Sequence, residues 1–338
     1  MNQFIVMQGP IVQEGSITSF KQNLNRILGI GREYAVSIIV STWEMDSDIE
    51  QSLRNEYPAV KFLFNSDPGA LVHEVKSTRI TCNVNRLIVS MQTALEEIPG
   101  GAVVLKIRTD SFIYNFDSFE KFQEFQNKRL LRNHQYSLFE NFILCANLFI
   151  RNPKSHIPML YHPGDICLIG YCSDLKKMFN IDLATEKIFK SSGSIRVRTE
   201  YALVPEQYIF LSALRKNIST KNVPISFEKN FDYVKNESDI SNQYLINNFI
   251  FFECRQLGFN WPKYKAQYLS KGWSSIYDYN DWKYLQNRYN ATTFKTSRGR
   301  ITLKKIMVLF AKLYYPIRNI LLQNKHIYKI AYKLFANR

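Results

Sequence analysis

Over the first 110 residues the apolar positions switch between short continuous runs and a helical spacing. Residues 4–7 predict a first buried strand, closed by the tight turn Gln8-Gly9-Pro10. Ile17, Phe20, Leu24, Ile27 and Leu28 follow at helical spacing, with Ser16 as N-cap and Gly29 and Gly31 as the stop. Residues 35–40 predict a second strand running into Ser41-Thr42-Trp43-Glu44, and residues 60–64 a third, followed by a polar turn over 65–69. Val84, Leu87, Ile88, Met91, Leu95 and Ile98 then mark one stripe of an amphipathic helix that begins at Asn83. Pro99-Gly100-Gly101 ends it, and residues 102–107 predict a buried strand carrying Arg108, Thr109 and Asp110 at its carboxyl end. Strands alternating with helices, with polar turns at the strands' carboxyl ends, predict an α/β fold: a mostly parallel sheet with helices on both faces. Ligands of such sheets bind beyond the carboxyl ends of the strands, so a site is expected where the stretch from Asn83 to Asp110 finishes.

The pattern loosens further along. Residues 142–150 are apolar enough for a strand, 152–163 form a loop holding His156 and His162, and Gly164-Asp165 leads into a short apolar run over 166–170. A helix is predicted over 174–179, and another from Pro205 with a stripe of Tyr208, Leu211, Ala213 and Leu214. Proline just inside a helix start, followed by Glu206, is ordinary N-terminal chemistry. Residues 216–244 are polar, with Asn, Ser, Lys and Asp dominating. The organisation this suggests is a core over 1–216, a peripheral excursion or linker over 217–262 completing it, and a C-terminal segment over 263–338. In that last segment apolar residues fall at 303, 306, 307, 310, 313, 314 and 317, with Pro316 expected to kink or divide the helix. A second piece sets Lys325, Lys329 and Lys333 against Ile327, Ile330, Ala331, Leu334 and Phe335.

Charge sharpens the picture of that tail. The chain of 338 residues carries a formal charge of +15, and sixteen of its 44 Lys and Arg lie between Asn260 and Arg338, against two acids, Asp278 and Asp281. The rest is near neutral. A basic amphipathic end is the pattern of a helix lying on an anionic membrane surface; a terminal helix packed on the domain with solvated lysines is the plainer alternative. Nucleic-acid binding fits less well, because the aromatics sit on the apolar stripe and not where bases would stack. The five cysteines show no metal-ligand spacing and read as reduced thiols. With no signal-peptide pattern and no apolar run long enough for a bilayer, a cytoplasmic protein, peripheral on the inner face of the membrane, is expected.

The candidate chemistry gathers at the strand ends. Gln8-Gly9-Pro10 is neither a Walker loop nor a Gly-x-Gly-x-x-Gly turn, so an ordinary ATP or dinucleotide site is unsupported; glycine there still lets a ligand approach the backbone. Arg108 offers a planar fork to a phosphate, or forms an ordinary ion pair with Asp110. Arg86 stands at the start of the helix that Asn83 or Asn85 can cap, where the helix dipole favours an anion; a solvated arginine is the alternative. Lys106 is either a site cation or an edge lysine.

Taken in order, Ile5-Val-Met-Gln-Gly-Pro, Ser41-Thr-Trp-Glu, Asp67-Pro-Gly-Ala, Asn83-x-Asn-Arg-x-Ile-x-Ser, Leu105-Lys-Ile-Arg-Thr-Asp, Asp165 before an apolar strand and Gly170, and Pro205-Glu-Gln-Tyr resemble the WavE family of lipopolysaccharide synthesis proteins, over residues 3–216. The resemblance is strongest at Arg108-Thr109-Asp110; Leu87 and Met91 depart from the family's usual Gln and Thr. It implies a glycosyltransferase of the GT-A type, with a nucleotide-sugar donor and a glycolipid or polysaccharide acceptor. It also implies donor-binding roles for Gln8, Gly9, Thr42, Asn85, Arg86, Lys106, Arg108 and Asp110. GT-A enzymes commonly hold a divalent ion with Asp-x-Asp at a strand end. Here one carboxylate of that pair remains, so Asp110 is the candidate ligand for Mg²⁺ or Mn²⁺, and fixed cations can serve instead. For the base that takes the acceptor's proton, Asp165 comes first, His162 second and Glu206 behind them; a turn-capping role is the plainer account of Asp165. The implied partners are the donor, the acceptor and an anionic membrane, with no nucleic acid. A non-catalytic envelope-assembly protein on a transferase-like fold is the alternative that the single carboxylate keeps open.

Overall fold

The computed structural model describes residues 2–13, 15–31, 34–75, 78–156, 158–189, 201–218, 235–261 and 273–321. The elements, in order, are β1 (Gln3–Gln8), α1 (Thr18–Gly31), β2 (Ser37–Trp43), α2 (Ser47–Glu56), β3 (Val60–Asn65), β4 (Leu71–Val75), β5 (Thr78–Cys82), α3 (Val84–Glu96), β6 (Val103–Arg108), β7 (Phe112–Ile113), α4 (Asp117–Gln126), β8 (Ile143–Ala146), β9 (Leu168–Tyr171), α5 (Cys172–Phe179), α6 (Pro205–Asn217), α7 (Lys235–Asn248), β10 (Phe249–Phe252), β11 (Phe259–Asn260), α8 (Tyr279–Tyr289) and α9 (Arg298–Leu321).

The main sheet has seven strands in the order β10-β8-β9-β6-β1-β2-β3. All neighbours run parallel except at β9, which is antiparallel to both β6 and β8. This reversal matters for the site. The carboxyl ends of β1, β2 and β6 open on one edge, and β9 begins on that same edge, bringing the residues before Leu168 alongside.

Side-chain alternation fixes which face is which. Val6 pairs with Lys106 and Gln8 with Arg108, so these four share a face. Ser90 of α3 donates to Gln8 Oε1 at 2.9 Å, which puts α3 over it. Val84, Leu87, Ile88, Met91 and Leu95 of α3 are buried, the stripe its spacing predicts. Tyr171 pairs with Val103, on the other face, and meets Phe122 of α4 edge to face. The sheet is thus covered on both sides, as the alternation of strands and helices predicts.

Three elements differ from the sequence reading. β4 and β5 form a separate antiparallel hairpin between β3 and α3. The polar stretch before residue 244 ends in α7 and the edge strand β10, whose Tyr244, Leu245, Phe249 and Phe251 are fully buried. Helix α9 continues through position 316, so the proline there does not divide it. The second basic piece around Lys325, Lys329 and Lys333 lies outside the described residues.

The terminal helix packs on the domain by its first turns, and beyond them its apolar stripe is exposed. Ile301 and Lys304 point into the body, and Lys304 is 6% exposed. Its ammonium donates to Ile276 O and pairs with Asp278 at 2.6 Å and with Asp281; Arg300 adds a 2.7 Å pair to Asp278. Leu303, Ile306, Phe310, Leu313 and Ile317 are turned to solvent, with Phe310 66% exposed.

Candidate functional site

The turns beyond β1, β2 and β6 are braced to one another by backbone bonds. Gly9 N donates to Ser41 O, and Thr109 N to Gln8 O, both at 3.1 Å. Gly9 has φ +117°, a conformation open to glycine, and a Cβ there would lie 3.4 Å from Thr109 Oγ1. Thr109 Oγ1 in turn donates to Pro10 O. Asn65 ties down β2 by donating to Ser41 Oγ and Thr42 O. The Thr42 hydroxyl is buried with no hydrogen-bond partner among the described residues. These bonds make the strand-end turns a fixed platform.

On that platform Arg108 and Asp110 form a two-pronged pair. Arg108 Nε donates to Asp110 Oδ1 at 2.7 Å and Nη2 to Oδ2 at 2.9 Å. The indole of Trp261 joins them: its Nε1 donates to Asp110 Oδ1 at 3.1 Å, and its ring centre lies 5.2 Å from the guanidinium carbon. The ion-pair reading of the triplet therefore describes the structure. It also bears on the metal. Both Asp110 oxygens are engaged and its charge is matched by Arg108, which leaves a poor ligand for a divalent cation. Among the described residues no three His, Cys, Asp or Glu side chains come together in a metal-holding group. Among the described residues, Asp110 as paired here is not set to hold a divalent ion on its own.

One strand position back, Lys106 is fully buried in the central strand β6, so it is no edge lysine. Its ammonium donates to the backbone oxygen of Asp165. Burial pushes its pKa down to about 8, opposed by the charge of Asp165. Asp165 is 6% exposed, and its Oδ1 has no hydrogen-bond partner among the described residues. Glu206, at the first turn of α6, is pushed up to about 7 by burial and then by the Asp165 carboxylate. His162 Nε2 lies 3.7 Å from Glu206 Oε2, and burial with the nearby Arg151 charge pushes that imidazole down to about 3. A ring held neutral at such a value is a weak proton acceptor, whereas a carboxylate near 7 is well matched to the task.

Gln8, Gly9, Thr42, Lys106, Arg108, Asp110, His162, Asp165 and Glu206 thus gather at one sheet edge. Two expected donor contacts have other partners. Arg86 forks onto Asp67, Nε to Oδ1 at 2.7 Å and Nη2 to Oδ2 at 2.5 Å, and Nη1 donates to Asn83 Oδ1. Asn85 is buried and clamps the backbone at Ala184, donating to its O at 3.0 Å and accepting from its N at 2.7 Å. Trp261 is not legible in the sequence. It lies 151 positions from Asp110, and no local spacing signals the contact.

These features define an open α/β protein with a polar cluster of opposed cations and carboxylates at the carboxyl ends of its central strands. The chain belongs to the WavE lipopolysaccharide synthesis family, whose profile matches residues 4–315. No curated protein matches it. Among solved structures it is similar to the galactosyltransferase LgtC in complex with donor and acceptor sugar analogues, at 12% identity and TM-score 0.32, covering 52% of this chain and 62% of that one. It is also similar to Staphylococcus aureus TarS 1–349 in complex with UDP-GlcNAc, at 14% and 0.32, covering 63% and 53%. Mouse xyloside xylosyltransferase 1, apo form, gives 10% and 0.30, covering 52% and 68%. The chain spans little more than half to about two thirds of these proteins, and likenesses this loose say nothing of its reaction. Among the described residues no helix is long and apolar enough to cross a membrane.

Proposed function

We propose that the protein is a nucleotide-sugar-dependent glycosyltransferase that extends a lipopolysaccharide or surface-polysaccharide acceptor. Membership of a lipopolysaccharide synthesis family supplies the setting. The observation that carries the reading is the pairing, at one strand edge, of a fixed guanidinium with a partly buried carboxyl near neutrality: Arg108 held by Asp110, and Glu206 pushed up to about 7. Sugar transfer needs both. The acceptor's hydroxyl oxygen attacks the anomeric carbon. The bond from that carbon to the donor's phosphate oxygen breaks, and the nucleoside diphosphate leaves with the electron pair. Arg108, with Lys106 behind it, faces the negative charge that develops on the leaving group; cations already in place act without reorganising. The hydroxyl proton goes to Glu206. Asp165, the first candidate on sequence grounds, keeps Glu206 basic by its charge. Lys106 and Glu206 differ in pKa through their surroundings, which is how one crevice can serve cation and base together.

The acceptor would be met at a membrane. The outward apolar stripe of α9 and the absence of any acid after Asp281 suit an anionic bilayer surface, with the helix lying in the interface. The test of the catalytic reading is turnover of a nucleotide-sugar panel by the purified full chain and by Glu206→Gln and Asp165→Asn. Loss in both, with donor binding kept, is the expected result. Near-wild-type turnover in Glu206→Gln would return the base to Asp165.

A further inference from the structure

We infer that Trp261 is a positioning residue for the donor phosphates: it holds the Arg108–Asp110 fork in the orientation in which Arg108 meets a diphosphate. The inference rests on the role of Arg108 proposed above. The two deeply buried tryptophans differ in what their indoles do. Trp282 is fully buried and donates its Nε1 to the backbone oxygen of Phe249, an ordinary core arrangement. Trp261, 6% exposed, places its Nε1 on a carboxylate at the crevice and its ring beside a guanidinium.

The chain goes to some length to put it there. β11 pairs antiparallel with β7, matching Phe259 with Ile113 and Asn260 with Phe112. The register carries the next residue, Trp261, alongside the loop at Asp110 and Ser111. Tyr114 N donates to Gly258 O at 2.7 Å, and Gly258 has φ +62°. A Cβ at that glycine would fall 2.9 Å from the backbone oxygen of Asn115 as well as on its side chain, so only glycine lets the two segments close this tightly. The Arg-Thr-Asp loop is therefore clamped directly onto the segment that delivers the indole.

The physics favours a positioning role. An arginine side chain has many rotamers, and two bonds to one carboxylate leave that carboxylate free to swing with it. A third bond to Asp110, from a rigid ring that also stacks on the guanidinium, fixes both partners. A cation fixed in place stabilises developing charge better than one that must be recruited.

Inorganic pyrophosphate is the probe, titrated into the full-length protein by calorimetry, with thermal unfolding followed in parallel. Trp261→Phe keeps a ring over Arg108 and loses the N–H; Trp261→Leu loses both. Wild type is expected to bind, Trp261→Phe to bind about tenfold more weakly, as for a lost bond to a charged group, and Trp261→Leu more weakly still. Both should unfold within a few degrees of wild type. Trp282→Phe, the core control, should lower the melting temperature and leave pyrophosphate affinity unchanged. Equal affinity in wild type, Trp261→Phe and Trp261→Leu would overturn the inference while leaving the donor site standing. So would a loss that merely tracks the melting temperature. Failure of wild type to bind pyrophosphate, or undiminished binding by Arg108→Gln, would overturn the reading of Arg108 itself and this inference with it.

Discussion

Glu206 and Lys106 make the sharpest statements at the scale of single residues. Glu206 must be ionised to take a proton, so kcat/KM is expected to rise with pH through about 7. Lys106 must be charged to act as a cation, so activity should fall again as pH passes about 8. A bell with those two limbs, measured by turnover against pH, is the expected profile. Glu206→Gln should flatten its acid limb and lower the rate at least about 10²-fold. The same groups bear on stability. The Glu206 pKa is raised in the fold, so its stabilising contribution is complete below the ordinary carboxyl value and is lost as pH rises through about 7. The Lys106 pKa is depressed, so its contribution is complete above 10.5 and lost as pH falls through about 8. At pH 7 the charged Lys106 therefore costs roughly 3 kcal/mol, since each tenfold loss of proton affinity on folding is worth about 1.4 kcal/mol. Lys106→Met is expected to be inactive and no less stable than wild type at pH 7 in urea unfolding; a large loss of stability would contradict a charge kept for function. Arg108, Asp110 and Asp165 were legible as site candidates because they sit at or just beyond the ends of strands that apolar runs reveal, and Lys106 because it is a charge inside one of those runs. Trp261 was not, because a contact across 151 positions leaves no local trace. The proposed preference for Glu206 over Asp165 as base also rests on the fold. Burial and a neighbouring carboxylate set the proton affinity of Glu206, and neither can be read from Pro205-Glu206.

Among the elements, the terminal helix carries the clearest test. Its anchor is buried: Lys304 sits between Asp278 and Asp281 with Arg300 alongside. Lys304→Met would leave two buried acids without their closest cation. It is expected to destabilise the protein by roughly 3–5 kcal/mol, read from chemical denaturation. Its outer face is separate from that anchor. Replacing Phe310, Leu313 and Ile317 together by serine should leave the melting temperature unchanged and abolish co-sedimentation with phosphatidylglycerol-containing vesicles, while equal pelleting would remove the membrane from the account. The helices read best where one apolar stripe repeats without interruption, as in α3. Helix α7 was hidden in a stretch that looked like a linker, and the reason is physical. Its asparagines are buried because they cap loop backbone: Asn248 Oδ1 accepts from Leu138 N and Phe139 N, and Asn247 Oδ1 from Asn133 N. Polar side chains used in this way mimic a surface composition. The β4–β5 hairpin escaped for another reason: five-residue strands with His73, Glu74 and Arg79 in them show no apolar run.

For the whole molecule, the mostly parallel sheet and the helices on both faces followed from the rhythm of the first 110 residues, because each buried strand there ends in a polar turn. The family profile reaches residue 315, well beyond the stretch whose motifs carry the resemblance. The structure gives a reason for that reach: β10 completes the sheet, and the segment to Trp261 closes on the Arg-Thr-Asp loop. Among the described residues, the later part of the chain thus supplies a strand of the main sheet and the indole beside the candidate site. Arg108 is proposed to bind the diphosphate of a nucleotide sugar. The most direct test is calorimetric titration of the full-length wild-type protein and Arg108→Lys with a panel of nucleotide sugars, followed by release of nucleoside diphosphate from whichever binds. Wild type is expected to bind at least one nucleotide sugar saturably. In Arg108→Lys, which keeps the charge and loses the planar fork, binding and turnover should fall by at least about tenfold. Wild type that binds none of the panel, or Arg108→Lys that binds and turns over as wild type does, would contradict it.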